Sequence, residues 1–563
     1  MDFKQAIAAV LSAETGIGAD ELQTWLETPP NPEMGDYAFP CFKLAKTLRK
    51  APPAIAAELA SAFKLPQGVA KAEPAGGYVN FTLDKSAQAK AVLTRVFEEG
   101  ARFGGSDLGE GRNVCIDYSS VNIAKPFHIG HLPTTVIGSA LYRIYNHLGF
   151  RSVGINHLGD WGTQFGKMIV AFQLWGDRET IERGGVDELV KLYVRYHQEV
   201  EDNPSLDDQA RAWFKRIEDG DAEALALFEW FKKLTLKEVE EVYDILGIRF
   251  DSYAGESFYN DKMGRVVDEL REKGLLKLDQ GAQIVDLSEY KMPPCIILRS
   301  DGATLYATRD IAAALYRKDT YDFAKSLYVV AYQQDLHFRQ WFKVVELMGY
   351  DWAKDLIHVS FGMVSGTEGA FSTRKGNMVK LRDVLSAACE KTLEIIREKS
   401  PDLEDKETIA SQVGIGALIW NSLYNGRIKD VVFDWDAVLN FDGETGPYAQ
   451  YTHARACSVL RKANDAPGEI DYSVLADTES AAVIAALGAF PDAVVEAMEK
   501  NEPYLVTRAV MRICTAFNKF YYEQRIMADD TVVRQARLAL TDATRRVIAI
   551  GLNLIGVAAP ERM

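Results

Sequence analysis

Cysteine is scarce in this chain. Six occur in 563 residues (Cys41, Cys115, Cys295, Cys389, Cys457, Cys514), with no Cys-x-x-Cys pair. That scatter argues against a disulfide framework or a cysteine-rich zinc site and fits a reducing, cytoplasmic compartment. No run of about eighteen uncharged apolar residues occurs, so no membrane span is expected. The opening MDFKQAIAAVLSAETG reads as an amphipathic helix without a signal peptide's basic region and apolar stretch. Positive charge is in deficit too: 64 Lys and Arg against 80 Asp and Glu leave −16, a poor balance for a chain that grips phosphates. Short-period repeats and low-complexity runs are missing, which removes solenoid architectures.

What is present is an ordinary globular composition, 47% hydrophobic and 26% charged, in a chain too long for one core. Charge is uneven. Pro503 to Met563 carries nine basic residues against five acidic, whereas Asp177 to Glu256 concentrates acid. The basic segment reads either as an RNA-facing surface or as a solvated helical face with snorkelling arginines. Residues 1–105 predict a small α/β domain: two helical patterns, a helix start at Pro52-Pro53, the strand-like GYVNFTL, a helix over Ser86 to Glu99, then the glycine-rich GARFGGSDLGEGR. Residues 106–400 predict an α/β domain with a charged helical insertion at about 176–250. Its short apolar strands IILRS, SLYVVAY and IHVSFGMV are expected to complete one parallel sheet. Residues 401–563 are almost purely helical in pattern.

The most informative stretch runs from Cys115 to Lys167. An apolar strand pattern at Val114 to Tyr118 enters a polar turn, then His128-Ile129-Gly130-His131, then a helical pattern ending near Gly149. Strand, loop and helix N-terminus in that order form the place where α/β folds bind phosphates. His128 and His131 are three apart and so share a face. Two imidazole N–H donors beside a helix start would stabilise charge developing on a phosphoryl group. Gly130 leaves room for a nucleotide against the backbone. The two rings could instead share a metal or cap and pack, but no cysteine or third histidine stands at a ligand spacing, so no zinc is expected.

The tetrad, with SSxNxAKP before it (Ser119 to Pro126) and HLGDWGxQFG after it (His157 to Gly166), resembles the HIGH signature of class I aminoacyl-tRNA synthetases and specifically the arginyl family. The resemblance covers essentially the whole chain. It implies a Rossmann-type parallel-sheet catalytic domain, a small α/β N-terminal tRNA-binding domain at 1–105, and an all-α anticodon-binding domain at 401–563. The implied reaction joins L-arginine to tRNA(Arg) at the expense of ATP, with magnesium accompanying the nucleotide, in a monomer whose activation step needs bound tRNA.

The same resemblance assigns residues. The signature region spans Val121 to His131, with His128, Gly130 and His131 on ATP. Phe371 to Asn377 resembles a divergent KMSKS loop, in which Arg374 and Lys375 face the pyrophosphate and Lys125 replaces a missing lysine. Tyr306, Asp310, Glu256 and Gln334 line the arginine pocket, and Ser119, Asn122 and His157 hold its α-amino and carboxylate end. Tyr78 and Asn80, and Tyr448 and Tyr451 in the GETGPYxQYTHAR segment, would contact tRNA. One letter departs from the family: Pro133 stands where Arg is frequent, tolerable in a first helical turn.

A guanidinium offers five N–H donors and never loses its charge, so carboxylates must read it. Tyr306 and Asp310, four apart at a helix start, suit that task, although a helix-terminal carboxylate has its own electrostatic reasons. Such a pocket rejects analogues lacking the partner group, so no editing domain is needed. Two rivals remain open at this point: an HxGH nucleotidyl-transferring enzyme that uses no tRNA, and a non-catalytic RNA-binding paralogue.

Overall fold

A computed structural model describes every residue except 1–2, 30, 63, 301–304, 367–368, 371–378, 441–442 and 464–467. Contacts divide the chain into two compact units that do not follow chain order. One comprises 1–103, 455–489 and 512–547; the other comprises 104–454, 490–511 and 548–563.

In the first unit, β1 (Tyr37–Pro40), β2 (Val69–Ala75) and β3 (Tyr78–Leu83) form an antiparallel sheet in the order β1-β3-β2. Alternation in YVNFTL sends Val79, Phe81 and Leu83 into a core with Phe3, Ile7 and Leu11 of the first helix and Ile55 of the helix Pro52–Ala62.

The second unit is built on a parallel sheet. β4 (Asn113–Asp117) and β5 (Arg151–Ile155) pair in register through Cys115↔Val153. β6 (Leu276–Asp279), β7 (Ala282–Val285) and β8 (Cys295–Leu298) make a separate antiparallel sheet. β9 (Lys325–Tyr328) and β10 (Leu356–His358) complete the parallel one, in the order β10-β9-β4-β5. The expectation that IILRS joins the parallel sheet is therefore corrected: it is β8, third strand of the antiparallel meander. The segment IHVSFGMV also divides. Its start is β10, whereas β11 (Val364–Gly366) pairs with β12 (Gly369–Ala370) and β13 (Val431–Phe433).

Strands β4 and β5 read as near-continuous apolar runs because helices cover both faces. The signature helix Leu132–His147 buries twelve of its sixteen residues. Other helices, Met263–Glu272, the pocket helix Tyr306–Tyr321 and the rim helix Asp335–Leu347, share a core with Cys115, Ile155 and Tyr328 that includes Ile311 and the fully buried Trp341. The chain leaves β4 for β5 on one side and returns to pair β9 on the other. That reversal makes a switch point, the usual ligand crevice of an open parallel sheet. The helix Thr478–Lys500 is long and apolar enough to cross a membrane by length and composition, but Val483, Leu487, Phe490 and Val494 are fully buried in the protein.

Candidate active site

An open cleft enclosing about 1290 Å³ lies at that switch point, lined by Asp117 of β4, Tyr328 of β9 and the residues that follow β4, β5 and β9. It brings together seven residues singled out in the sequence: Ser119, Asn122, His157, Glu256, Tyr306, Asp310 and Gln334. They come from five separate chain segments.

The loop after β4 is strained. Ser119, Ser120 and Ala124 all adopt positive φ, at 67°, 45° and 59°, a conformation costing about 1–2 kcal/mol for each side chain that carries a Cβ. Tertiary bonds hold it there. Ser119 N–H donates to Thr134 Oγ1 at 3.1 Å, and that hydroxyl donates to Val329 O at 2.7 Å. Ala124 N–H donates to Thr235 Oγ1 at 3.1 Å. Asn122 reaches the backbone after β5 because Gly159 lacks a side chain; a Cβ there would stand 2.4 Å from Asn122 Oδ1.

Ser119 is buried, and its hydroxyl belongs to a chain whose direction is forced. Thr135 Oγ1 donates to the carbonyl of His131 at 2.7 Å, so its only proton is spent. Ser119 must therefore donate to Thr135 Oγ1 (2.8 Å), and Tyr243 must donate to Ser119 (2.7 Å) while accepting from Asn156 Nδ2 (2.9 Å). Ser119 keeps one lone pair, so it can accept from a substrate ammonium but cannot donate to a carboxylate.

His128 caps and His131 ends a single 3-10 turn, Ile129–His131, before the signature helix, with ring centroids 4.1 Å apart. His128 Nδ1 accepts from Gly130 N–H at 3.1 Å, and His131 Nδ1 accepts from His128 N–H at 3.2 Å, a reciprocal cap. This cap assigns the ring proton of His128 to Nε2, whereas His131 Nδ1 also lies 3.2 Å from the His128 carbonyl and accepts or donates there according to its tautomer. Desolvation lowers the pKa of His128, and takes His131 down to about 3 with help from its neighbour His128. Both are neutral donors near pH 7. Gly130 serves the cap as well: a Cβ there would stand 2.8 Å from the His128 ring.

On the pocket helix, Tyr306, Asp310, Ala313 and Arg317 form a 4-3-4 stripe facing the cleft. Buried Arg317 donates to Asp117 Oδ2 at 2.8 Å and to His157 Nδ1 at 3.3 Å, fixing the His157 tautomer. Burial lowers the His157 pKa, so this ring too is neutral. Glu256 lies 3.5 Å from Arg309, yet desolvation raises its carboxyl to about 7. Its loop is pinned by Asp160, fully buried, which accepts from Ser257 N–H (2.8 Å), Ser257 Oγ (2.7 Å) and Lys232 Nζ (2.7 Å). Sequence reasoning missed Arg317, His337 and Tyr243. Helical spacing from Asp310 and Gln334 could have found the first two; nothing local marks Tyr243.

Lys125 is exposed beside the turn. Arg374 and Lys375 lie outside the described residues. The segment just after them is tied to the signature turn: Ile129 N–H donates to Val379 O and Leu381 N–H to Phe127 O. Pro133, at the second helical position, is buried and packs along a narrow crevice with Ile129, Ile137 and Leu418. A proline ring suits that wall better than a guanidinium, which would have to lose its water there.

Tyr78 is half-buried on β3, edge-on to Phe42, while Asn80 is buried in the sheet. Tyr448 and Tyr451 lie on the helix Gly446–Ala463, Tyr448 half-buried and Tyr451 exposed. In FNKFYYEQRIM, Phe517 and Phe520 are core, whereas Tyr522 is 88% exposed.

Sheet, switch-point cleft and histidine turn together define a class I aminoacyl-tRNA synthetase core, and residues 93–435 match the family model "tRNA synthetases class I (R), catalytic domain". Residues 1–83 match the arginyl tRNA synthetase N-terminal domain, and 449–563 the DALR anticodon binding domain. Arginine–tRNA ligases of Alkaliphilus metalliredigens and Clostridioides difficile are each 54% identical over the full length of both chains. The chain belongs to the arginyl-tRNA synthetase family. The solved Thermus thermophilus arginyl-tRNA synthetase aligns over 100% of this chain and 99% of its own, with a TM-score of 0.84 at 26% identity. The Plasmodium falciparum enzyme shares the fold at 21% identity, with a TM-score of 0.83 and 99% of each chain covered.

Proposed function

We propose that this chain charges tRNA(Arg) with L-arginine. The observation that carries the reading is the convergence, on one switch-point cleft beside the histidine turn, of the polar groups a free amino acid with a cationic side chain requires. In the first step a carboxylate oxygen of arginine attacks the α-phosphorus of ATP and pyrophosphate departs. The 3′-terminal hydroxyl of tRNA then attacks the carbonyl carbon and AMP departs. Magnesium arrives with the nucleotide's phosphates as part of the substrate.

The reading assigns a role to each residue. Asp310 and Glu256 take the guanidinium, with Tyr306 and Gln334 completing the pocket. Ser119 accepts from the α-ammonium, and Asn122 and His157 position the carboxylate end. Neutral His128, through Nε2–H, and neutral His131 donate N–H bonds to the charge building on phosphate, and Gly130 admits the nucleotide. Lys125, Arg374 and Lys375 supply positive charge around the pyrophosphate. The rate comes from positioning and charge stabilisation, with no covalent enzyme intermediate. Residues 1–105 and 401–563 bind tRNA outside the catalytic region of 106–400, through Tyr78, Asn80, Tyr448 and Tyr451 among others. The enzyme acts as a cytoplasmic monomer, away from membranes, and forms adenylate only with tRNA bound.

Charging of an unfractionated tRNA pool, one amino acid at a time, tests the reading. Arginine alone should be incorporated, and ATP–pyrophosphate exchange should require tRNA as well as arginine. Equal incorporation of several amino acids, or none, would overturn it.

A further inference from the structure

Asp310 faces the cleft with one carboxylate oxygen already engaged. His337, on the rim helix three residues beyond Gln334, places Nε2 2.6 Å from Asp310 Oδ2, and both side chains line the cleft. Neither is deeply buried, with side-chain exposures of 29% for His337 and 26% for Asp310.

We infer that His337 is a positioning residue that sets specificity for the guanidinium, a role resting on the proposed part of Asp310 as its acceptor. An aspartate's terminal torsion is broad, so a carboxylate held only by its own helix samples many planes. Bidentate pairing with a guanidinium needs both oxygens in one plane facing two parallel N–H groups. One short bond from Nε2–H to Oδ2 fixes that plane. An ionised carboxylate offers about four lone-pair sites, so three remain for substrate. An imidazole performs this task without bringing a fixed positive charge. A lysine or arginine in its place would neutralise Asp310 and repel the incoming guanidinium. The His337 ring also stands nearly perpendicular to its chain neighbour Phe338, with centroids 5.7 Å apart, and Phe338 stacks on His358 with centroids 4.2 Å apart.

Steady-state kinetics of His337→Leu, His337→Gln, Asp310→Asn and the double variant His337→Leu/Asp310→Asn decide it. Losing a hydrogen bond to a charged group should raise the KM for arginine by roughly 10- to 100-fold in His337→Leu. The KM for ATP should stay within about twofold, and kcat should fall much less than KM rises. His337→Gln retains an N–H donor and should recover part of the loss. The double variant should be no worse than Asp310→Asn alone, because the pair acts as one unit.

Should Asp310→Asn raise the arginine KM while His337→Leu leaves it unchanged, His337 has no such role. A parallel loss of ATP and arginine affinity in both His337 variants would make the residue a structural prop and equally overturn the inference. If Asp310→Asn itself leaves the arginine KM unchanged, the underlying assignment of Asp310 fails instead.

Discussion

Glu256 carries a carboxyl whose burial outweighs the nearby Arg309 and lifts its pKa to about 7. A substrate guanidinium placed against it would favour the ionised form, so arginine binding and proton release are coupled. Below pH 7 the group must first lose a proton to bind, and the KM for arginine should rise by up to tenfold per pH unit. Glu256→Gln removes the titration: it should bind arginine weakly and show a flat KM between pH 6 and 8. The same raised value opposes folding once pH climbs through the range from the ordinary carboxylate value to 7, so the fold's own contribution from this group is lost as pH rises. Bound arginine offsets that loss, and should raise Tm more at pH 8 than at pH 6. A wild-type KM independent of pH, or a Glu256→Gln profile as steep as wild type, would exclude Glu256 from the guanidinium site.

At the scale of elements, the charged insertion contributes more than its composition suggests. Its long helix, Ala222–Leu246, supplies Lys232 to Asp160, Thr235 to the strained Ala124, and Tyr243 to Ser119. Acidic solvent-facing residues dominate the segment and hide the few polar groups turned inward. Strands β4, β5 and β9 and the histidine turn were legible because buried parallel strands and a capped helix start leave strong local patterns. The sheet to which β8 belongs is not legible, because a four-residue apolar run does not declare its neighbours. The cue was two strands earlier: Gln280 and Gly281, both with positive φ (47° and 84°), form the two-residue turn between β6 and β7 that marks an antiparallel hairpin. Tyr243→Phe tests the insertion's part in the site. Ser119 loses its donor and Asn156 its acceptor in a buried setting, costing about 1–3 kcal/mol. With the Ser119 hydroxyl held on one side only, by Thr135, kcat/KM for arginine should fall about 5- to 100-fold while tRNA affinity is kept. Unchanged kinetics would mean that the chain from Asn156 to the His131 carbonyl is only structural decoration.

Taken whole, the molecule bears −16 and must still bind a polyanion. Long-range attraction cannot come from the net charge, so phosphate contacts have to be local and few. Many cations in the basic carboxyl-terminal segment are already committed. Arg545 and Arg546 share Asp542, Arg525 pairs with Asp529, and Arg537 donates to Gln524 and the Arg525 carbonyl. Each condensed counterion released by a phosphate contact adds about 0.7–0.9 to the magnitude of the log–log salt slope. With these cations committed, a shallow dependence is predicted: a plot of log KM for tRNA against log salt should rise with a slope of no more than about 5. The KM for arginine should change far less over the same range, because its proposed partners Asp310 and Glu256 expose only 26% and 17% of their side chains, where screening is weaker. Measuring both KM values between 50 and 300 mM salt (roughly the range over which such slopes are resolved) separates the two sites. A tRNA slope near 10 would mean an extended electrostatic footprint, and an equally steep arginine dependence would place the guanidinium at an exposed surface instead of in the cleft.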